Sequence, residues 1–238
     1  MTLPTRQRAR SAADKQQRRA QILATALVMW DAHSVASFTM AEVAARSGLA
    51  KGTLYLYFET KEELLLALLE GLLVGWFDAL DGGLAEAGLC EIAQIASLLS
   101  AVLSERPALT RLLPLAATIF EHNIPLESAR AYKELLLDRS ARSAAGLERC
   151  LSFLQPGEGL WLLLQLYALI VGLGQMADPA PMARRLLDEE RLAPLRVAFD
   201  PAFHRSITTL LHGMQAETRL ARCGLATHHG ENLAGDEA

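Results

Sequence analysis

The chain has 238 residues and a formal net charge of −4, from 23 Lys/Arg against 27 Asp/Glu. Hydrophobic residues make up 51% of it, which excludes a disordered protein, and 46 Leu stand against only 14 Val and Ile together. Leu favours helices and β-branched residues favour strands, so composition argues against an all-β fold or a parallel α/β sheet.

The average charge hides an asymmetry. Residues 1–62 carry nine Lys/Arg and five Asp/Glu, a net of +4, and residues 63–238 carry 14 and 22, a net of −8. The chain as a whole is no uniformly basic nucleic-acid binder, but its head can be one.

Residues 1–14 read as a flexible basic arm with Arg6, Arg8 and Arg10. No apolar stretch follows, so it is not read as a secretory signal. From Lys15 a helix extends to about His33, with Leu23, Leu27 and Trp30 at helical spacing and Ile22 and Ala26 beside them. Ser34–Ser37 is a break. Thr39-Met-Ala-Glu42 is a capping box opening a helix of barely two turns, which Gly48 stops. A second short helix covers Ala50–Phe58. Thr60-Lys-Glu-Glu63 is another capping box, starting a Leu-rich helix to about Leu80 that Gly82 and Gly83 end. Further helices are expected over Cys90–Ser104, Pro107–Leu113, Pro114–His122, Leu126–Leu154, Glu158–Met176, Met182–Arg191 and Pro201–Thr218. The tail from Arg219 to Ala238 reads as flexible.

Cys90, Cys150 and Cys223 are odd in number and show no C-x-x-C spacing, so neither a disulfide framework nor a zinc site is expected, and a reducing cytoplasm is the simplest setting. Gly159–Ala177 runs 19 residues without a charge, long enough to span a bilayer. Its flanks are Glu158 and Asp178, with no basic residue to set topology, and it contains Gln165 and Gln175. A buried or interface helix is the better reading.

Two short helices around Gly48, joined by a turn of three to four residues, form a helix-turn-helix over residues 39–58. On the second, Leu54 and Phe58 are i, i+4 and should face the core. The opposite face carries Gly52, Thr53 and Leu56, flanked by Tyr55 and Tyr57. Lys51 suits a phosphate or a guanine edge. Gly52 permits close approach of backbone to DNA. The Thr53 hydroxyl suits a base or phosphate, and Leu56 a thymine methyl. Tyr55, Tyr57, Thr39 and Lys61 are placed to reach phosphates. Residues 6–19 can reach flanking backbone or the minor groove.

The stretch from Phe38 through Gly48, Gly52-Thr-Leu-Tyr55 and Phe58 to Lys61-Glu-Glu-Leu64 resembles the DNA-binding head of the tetracycline-repressor (TetR) family of bacterial transcription regulators. The resemblance covers about residues 16–76. It implies that Ala50–Phe58 enters the major groove, with Thr39, Tyr55, Tyr57 and Lys61 at phosphates and Lys51, Gly52 and Thr53 near base edges. Ala50 departs from it, because a small hydroxyl residue is frequent there.

The resemblance further implies an all-α chain: a three-helix helix-turn-helix domain over residues 15–62, and a helical regulatory and dimerisation domain over residues 63–218. It implies a homodimer formed through the last two long helices, reading a palindromic operator in double-stranded DNA, and a small effector bound in the body. Compatible seam residues are Leu162, Leu166, Ile170, Gly172 and Leu173, with Phe203, Ile207, Leu210, Leu211 and Met214. Candidate pocket residues are Trp76, Phe77, Phe120, His122, Trp161 and Tyr167, and with few charges nearby an apolar or aromatic effector is expected. Repression relieved by effector is the family's usual sign.

Two other readings were weighed. A helical membrane-associated or scaffold protein rests on residues 159–177 alone. A helical enzyme finds no G-x-S-x-G, P-loop or H-E-x-x-H, and no metal site or cofactor motif is visible.

Overall fold

The computed structural model describes the backbone of residues 5–32, 38–116 and 124–231 and the side chains of residues 13–30, 38–116 and 124–223. Among the described residues every regular element is helical. The helices are α1 (Thr5–Ala32), α2 (Met40–Arg46), α3 (Lys51–Tyr55), α4 (Lys61–Glu86), α5 (Ile92–Ser104), α6 (Pro107–Leu112), α7 (Leu126–Cys150), α8 (Glu158–Ala177), α9 (Pro181–Leu187) and α10 (Phe199–Glu231). Short 3-10 turns cover Leu113–Leu115 and Ala193–Leu195. The expected break at Ser34–Ser37 and most of the expected helix Pro114–His122 lie outside the described residues.

The chain forms two compact units. One, the head, comprises residues 1–73 and 107–132; the other, the body, comprises residues 74–106 and 133–238. Residues 107–132 therefore cluster with the head, whereas a boundary at residue 62 was expected. Within the head, α6 packs on α1, burying Ala108, Leu109 and Leu112.

Three boundaries differ from expectation. α1 starts at Thr5, so the first turns of the arm are helical: the run after Pro4 is rich in Arg, Gln and Ala, good helix formers that nothing interrupts. α4 runs past Gly82 and Gly83 to Glu86. A glycine inside a helix costs only about 1 kcal/mol, and burial of Leu80 and Leu84 on either side outweighs it. α10 continues through Thr218 to Glu231, because Arg219-Leu-Ala-Arg keeps helix propensity and no proline intervenes. The other bounds shift by a few residues either way: α7 ends at Cys150 and α9 at Leu187, short of expectation, and α10 begins early, at Phe199.

In the head, α1 buries Ile22, Ala26, Met29 and Trp30. This stripe is rotated by one residue from the expected one, leaving Leu23 and Leu27 half-buried at its edge. Trp30 meets Phe38 edge-on, with centroids 5.8 Å apart. Met40, Val43 and Ala44 of α2, Leu54 of α3, Phe58, and Leu64 to Leu69 of α4 complete the buried set.

In the body, α5 and α8 both pack on α10. Asp78 and Asp81 of α4 pair with Arg139 (2.5 Å) and Arg142 (3.0 Å) of α7, and the buried Ser143 hydroxyl donates to Asp81 at 2.6 Å. The Glu148 carboxylate of α7 accepts the N–H groups of Gly157 (2.8 Å) and Gly159 (3.0 Å), satisfying donors that the start of α8 would leave unpaired. At Gly159 the two helices approach so closely that a Cβ would lie 2.4 Å from the backbone oxygen of Ala144. α8 is apolar and long enough to cross a membrane by length and composition, with a mean hydropathy of 1.7. Its inner face (Leu162, Leu163, Leu166, Ile170) is buried within the body.

Candidate nucleic-acid interface

α2, α3 and the turn between them are built by local hydrogen bonds that the sequence specifies. The Thr39 hydroxyl accepts the N–H of Glu42 at 3.3 Å, capping α2. Glu42 does not reach back to Thr39 as a full capping box would; its carboxylate pairs with Arg46 one turn on, at 3.2 Å. At the other end Gly48 N–H donates to Ala45 (3.1 Å) and Leu49 N–H to Ala44 (2.9 Å). Gly48 has φ +66°, where a Cβ is strained. This is a Schellman closure, and it turns the chain sharply into α3.

α3 has five residues, far too few to be stable alone. Its N-cap, Ala50, makes no side-chain cap bond, as the missing hydroxyl implies. It is held by its apolar side instead. Leu54 is 0% exposed and Phe58 2%, and each such burial contributes about 1.5–3 kcal/mol. The guanidinium of Arg19 from α1 sits 5.0 Å above the Phe58 ring, and the ammonium of Lys61 lies 5.7 Å from the Phe38 ring. α3 ends at Tyr55, so Leu56 and Tyr57 stand in the turn that follows and not in helix as expected. The Thr60 hydroxyl accepts Glu63 N–H at 3.0 Å, and Glu63 reaches back to the N–H of Glu59 at 2.7 Å, starting α4.

The predicted set divides by exposure. Thr39, Lys51, Gly52, Tyr55 and Leu56 are exposed; Thr53, Tyr57 and Lys61 are half-buried. Leu56, at 75% exposure, is an apolar side chain left uncovered by the described residues. Gly52 is the more telling residue. Its φ is ordinary, and among the described residues no atom lies within 4 Å of where its Cβ would be, so no contact among them calls for glycine there.

The predicted effector residues fall in three places. Trp76 and Phe77 are buried and touch edge-on, with centroids 4.8 Å apart. The Trp76 indole N–H is buried with no hydrogen-bond partner among the described residues. Trp161 and Tyr167 are 55% and 44% exposed, on the outer face of α8. Phe120 and His122 lie outside the described residues. A cleft of about 370 Å³ in the body is lined by Gln155, Glu158, Glu217, Thr218, Ala221 and Arg222, none of them anticipated as pocket residues.

The seam residues also divide. Leu162, Leu166, Ile170, Phe203, Ile207 and Leu211 are buried in this chain's own core and have no surface to offer a partner. Gly172 is exposed, and Leu173, Leu210 and Met214 are half-buried. The outer face of α8 consists of Leu160, Trp161, Leu164 and Tyr167, a stripe at i, i+1, i+4, i+7. Sequence reasoning assigned two of these to a pocket and missed the other two, although their spacing was visible.

Comparison with known proteins agrees with this architecture. Residues 22–68 match the family described as bacterial regulatory proteins, tetR family, and residues 70–218 match the tetracyclin repressor-like C-terminal domain. The second match alone spans more than half of the chain, so the chain belongs to the TetR family and is a DNA-binding transcriptional regulator. A solved structure from Mesorhizobium loti MAFF303099, assigned as a TetR-family transcriptional regulator, is 21% identical with a TM-score of 0.50, covering 85% of this chain and 96% of that one. A transcriptional regulator from Streptomyces coelicolor A3(2) is 25% identical with a TM-score of 0.46, covering 76% and 99%. No curated protein matches the chain.

Proposed function

We propose that α3 reads a palindromic operator from the major groove as part of a homodimer, and that the chain acts in the cytoplasm as a repressor released by a small apolar or aromatic effector. The exposed face of α3 carries the first part. Its apolar anchors are fully buried, and Lys51, Gly52, Tyr55 and Leu56 are left outside on one side of the turn. Lys51 and Gly52 meet base edges together with the half-buried Thr53. Thr39, Tyr55, Tyr57 and Lys61 fix the register on phosphates, and Leu56 meets a thymine methyl.

The outer stripe of α8 supports the dimer. Leu160, Trp161, Leu164 and Tyr167 form an apolar face left exposed by the described residues, and a second copy offers the same face across a two-fold axis. Gly172 permits close approach, and Leu210 and Met214 can flank the contact. Two heads one DNA turn apart, or a multiple of that, then read two half-sites. Trp76 and Phe77 remain candidates for the effector site. The unpartnered indole N–H gives a polar atom of a mostly apolar ligand something to bind. Release follows if the ligand favours a head spacing that mismatches the operator.

The test is DNA binding to the region upstream of the chain's own gene. Lys51→Ala combined with Tyr55→Phe should weaken operator binding about 10–100-fold, flatten its salt dependence and leave thermal stability unchanged. An unchanged operator affinity would remove α3 as the reading element.

A further inference from the structure

Cys90 and Cys150 are distant in sequence and adjacent in the fold. Cys90 lies just before α5, and Cys150 is the last residue of α7. The N–H of Cys90 donates to the carbonyl of Cys150 at 2.9 Å. That bond sets the two backbones side by side, and a disulfide bridges only such a short span. Both thiols turn to the same short segment: that of Cys90 donates to the carbonyl of Gly88 at 3.4 Å, and that of Cys150 approaches those of Leu84 at 3.6 Å and Ala87 at 3.9 Å. Both are present as thiols.

We propose that Cys90 and Cys150 form a reversible disulfide when the protein meets a hydroperoxide, making this corner of the body an oxidation-sensitive site. The two positions differ as such a pair requires. Cys90 is partly exposed, whereas Cys150 is fully buried. Burial pushes the Cys150 thiol up, with a further rise from the neighbouring Cys90 thiol and an opposing pull from Arg149. Cys90 therefore meets the oxidant first. Its thiolate attacks the peroxide, an S–O bond forms and the O–O bond breaks, and the leaving oxygen departs protonated as alcohol or water. The Cys150 thiolate then attacks the Cys90 sulfur. The S–S bond forms, the S–O bond breaks, and water leaves. Two thiols lose two electrons in all, and the peroxide gains them. The guanidinium of Arg149, anchored on the Leu84 carbonyl at 2.9 Å, stands beside the second thiolate as it forms. The bridge ties the end of α7 to the segment that follows α4.

The experiment treats the reduced full-length chain with hydrogen peroxide, blocks remaining thiols with N-ethylmaleimide, and maps non-reduced peptides by mass spectrometry. The expected result is a fall from three blockable thiols to one, a linked Cys90–Cys150 peptide about 2 Da lighter than the reduced pair, and full recovery with dithiothreitol. In Cys150→Ser the linked peptide should vanish and Cys90 should progress to sulfinic acid. The proposal is overturned if the unmutated chain yields only intermolecular Cys223 bridges, or sulfinic acid at Cys90 with Cys150 still reduced. The unmutated chain decides the question even if the variant fails to fold.

Discussion

Among the described residues the exposed faces of α3 in the head and α8 in the body differ in kind. Around α3 the uncovered side chains are a cation, a glycine, hydroxyls and one aliphatic group, presented by a helix whose own anchors are completely buried. Along α8 the uncovered side chains are Leu, Trp, Leu and Tyr in a continuous stripe. The first face is polar enough to stay in water and chemically varied enough to discriminate. The second costs free energy in water until something apolar covers it. The head's face suits a charged polymer with distinct edges, and the proposed partner for the body's face is a matching protein surface.

The comparison breaks most easily at the anchor of α3. Leu54→Ala should cost about 2–5 kcal/mol by opening a cavity under a five-residue helix. Operator binding and the first thermal transition should fall together, with most of the helical circular dichroism of the body retained. Loss of binding at constant stability would mean that Leu54 contacts DNA.

The body's face is broken next, by Trp161→Glu with Leu164→Glu. Four carboxylates facing one another across a two-fold axis should turn a dimer into a monomer in sedimentation equilibrium, with binding to a full palindrome reduced to the level of a single half-site. A persisting dimer would place the seam elsewhere. Gly48→Ala has a smaller effect, about 1 kcal/mol, because it strains the φ of +66° that turns α2 into α3. Urea unfolding reads it, and Gly48→Asn should recover part of the loss.

The smallest effect sharpens the head's electrostatics. Burial holds the Glu70 carboxyl above its usual range, partly offset by Arg19. A raised folded-state pKa means the folded head binds this proton more tightly than the unfolded chain does. That contribution is complete below the ordinary carboxylate range and is lost as pH rises through the raised value. Glu70→Gln should therefore gain up to about 0.5 kcal/mol at pH 7 and nothing near pH 4, read from thermal melts at the two pH values.

The local grammar of the head was legible because its signals are short-range. The Thr39 and Thr60 caps, the glycine at the turn and the Leu54–Phe58 pair each need only a few neighbouring residues to act. Their spacing fixes which side of α3 is core, and by elimination which side is exposed. The register of α1 was one residue off, because Ile22, Leu23, Ala26 and Leu27 make two adjacent stripes with equal claims.

The body was less legible where helices are apolar on every side. α8 offers Leu162, Leu166 and Ile170 on one face and Leu160, Trp161, Leu164 and Tyr167 on another, and hydropathy cannot rank them. The choice falls to packing: Gly159 lets α7 approach closely, Glu148 caps the start of α8 from α7, and α10 covers the inner face. The nearness of Cys90 and Cys150 has the same origin, since 59 residues separate them in the chain and only the close of α7 against the α4–α5 connection joins them. Sequence by itself determined the helical class, the basic head and the helix-turn-helix with its buried anchors, all set by propensity and spacing over a few residues. Tertiary structure alone decided which apolar face is core, which is surface, and which distant side chains meet, because those outcomes depend on contacts between segments that no local pattern encodes.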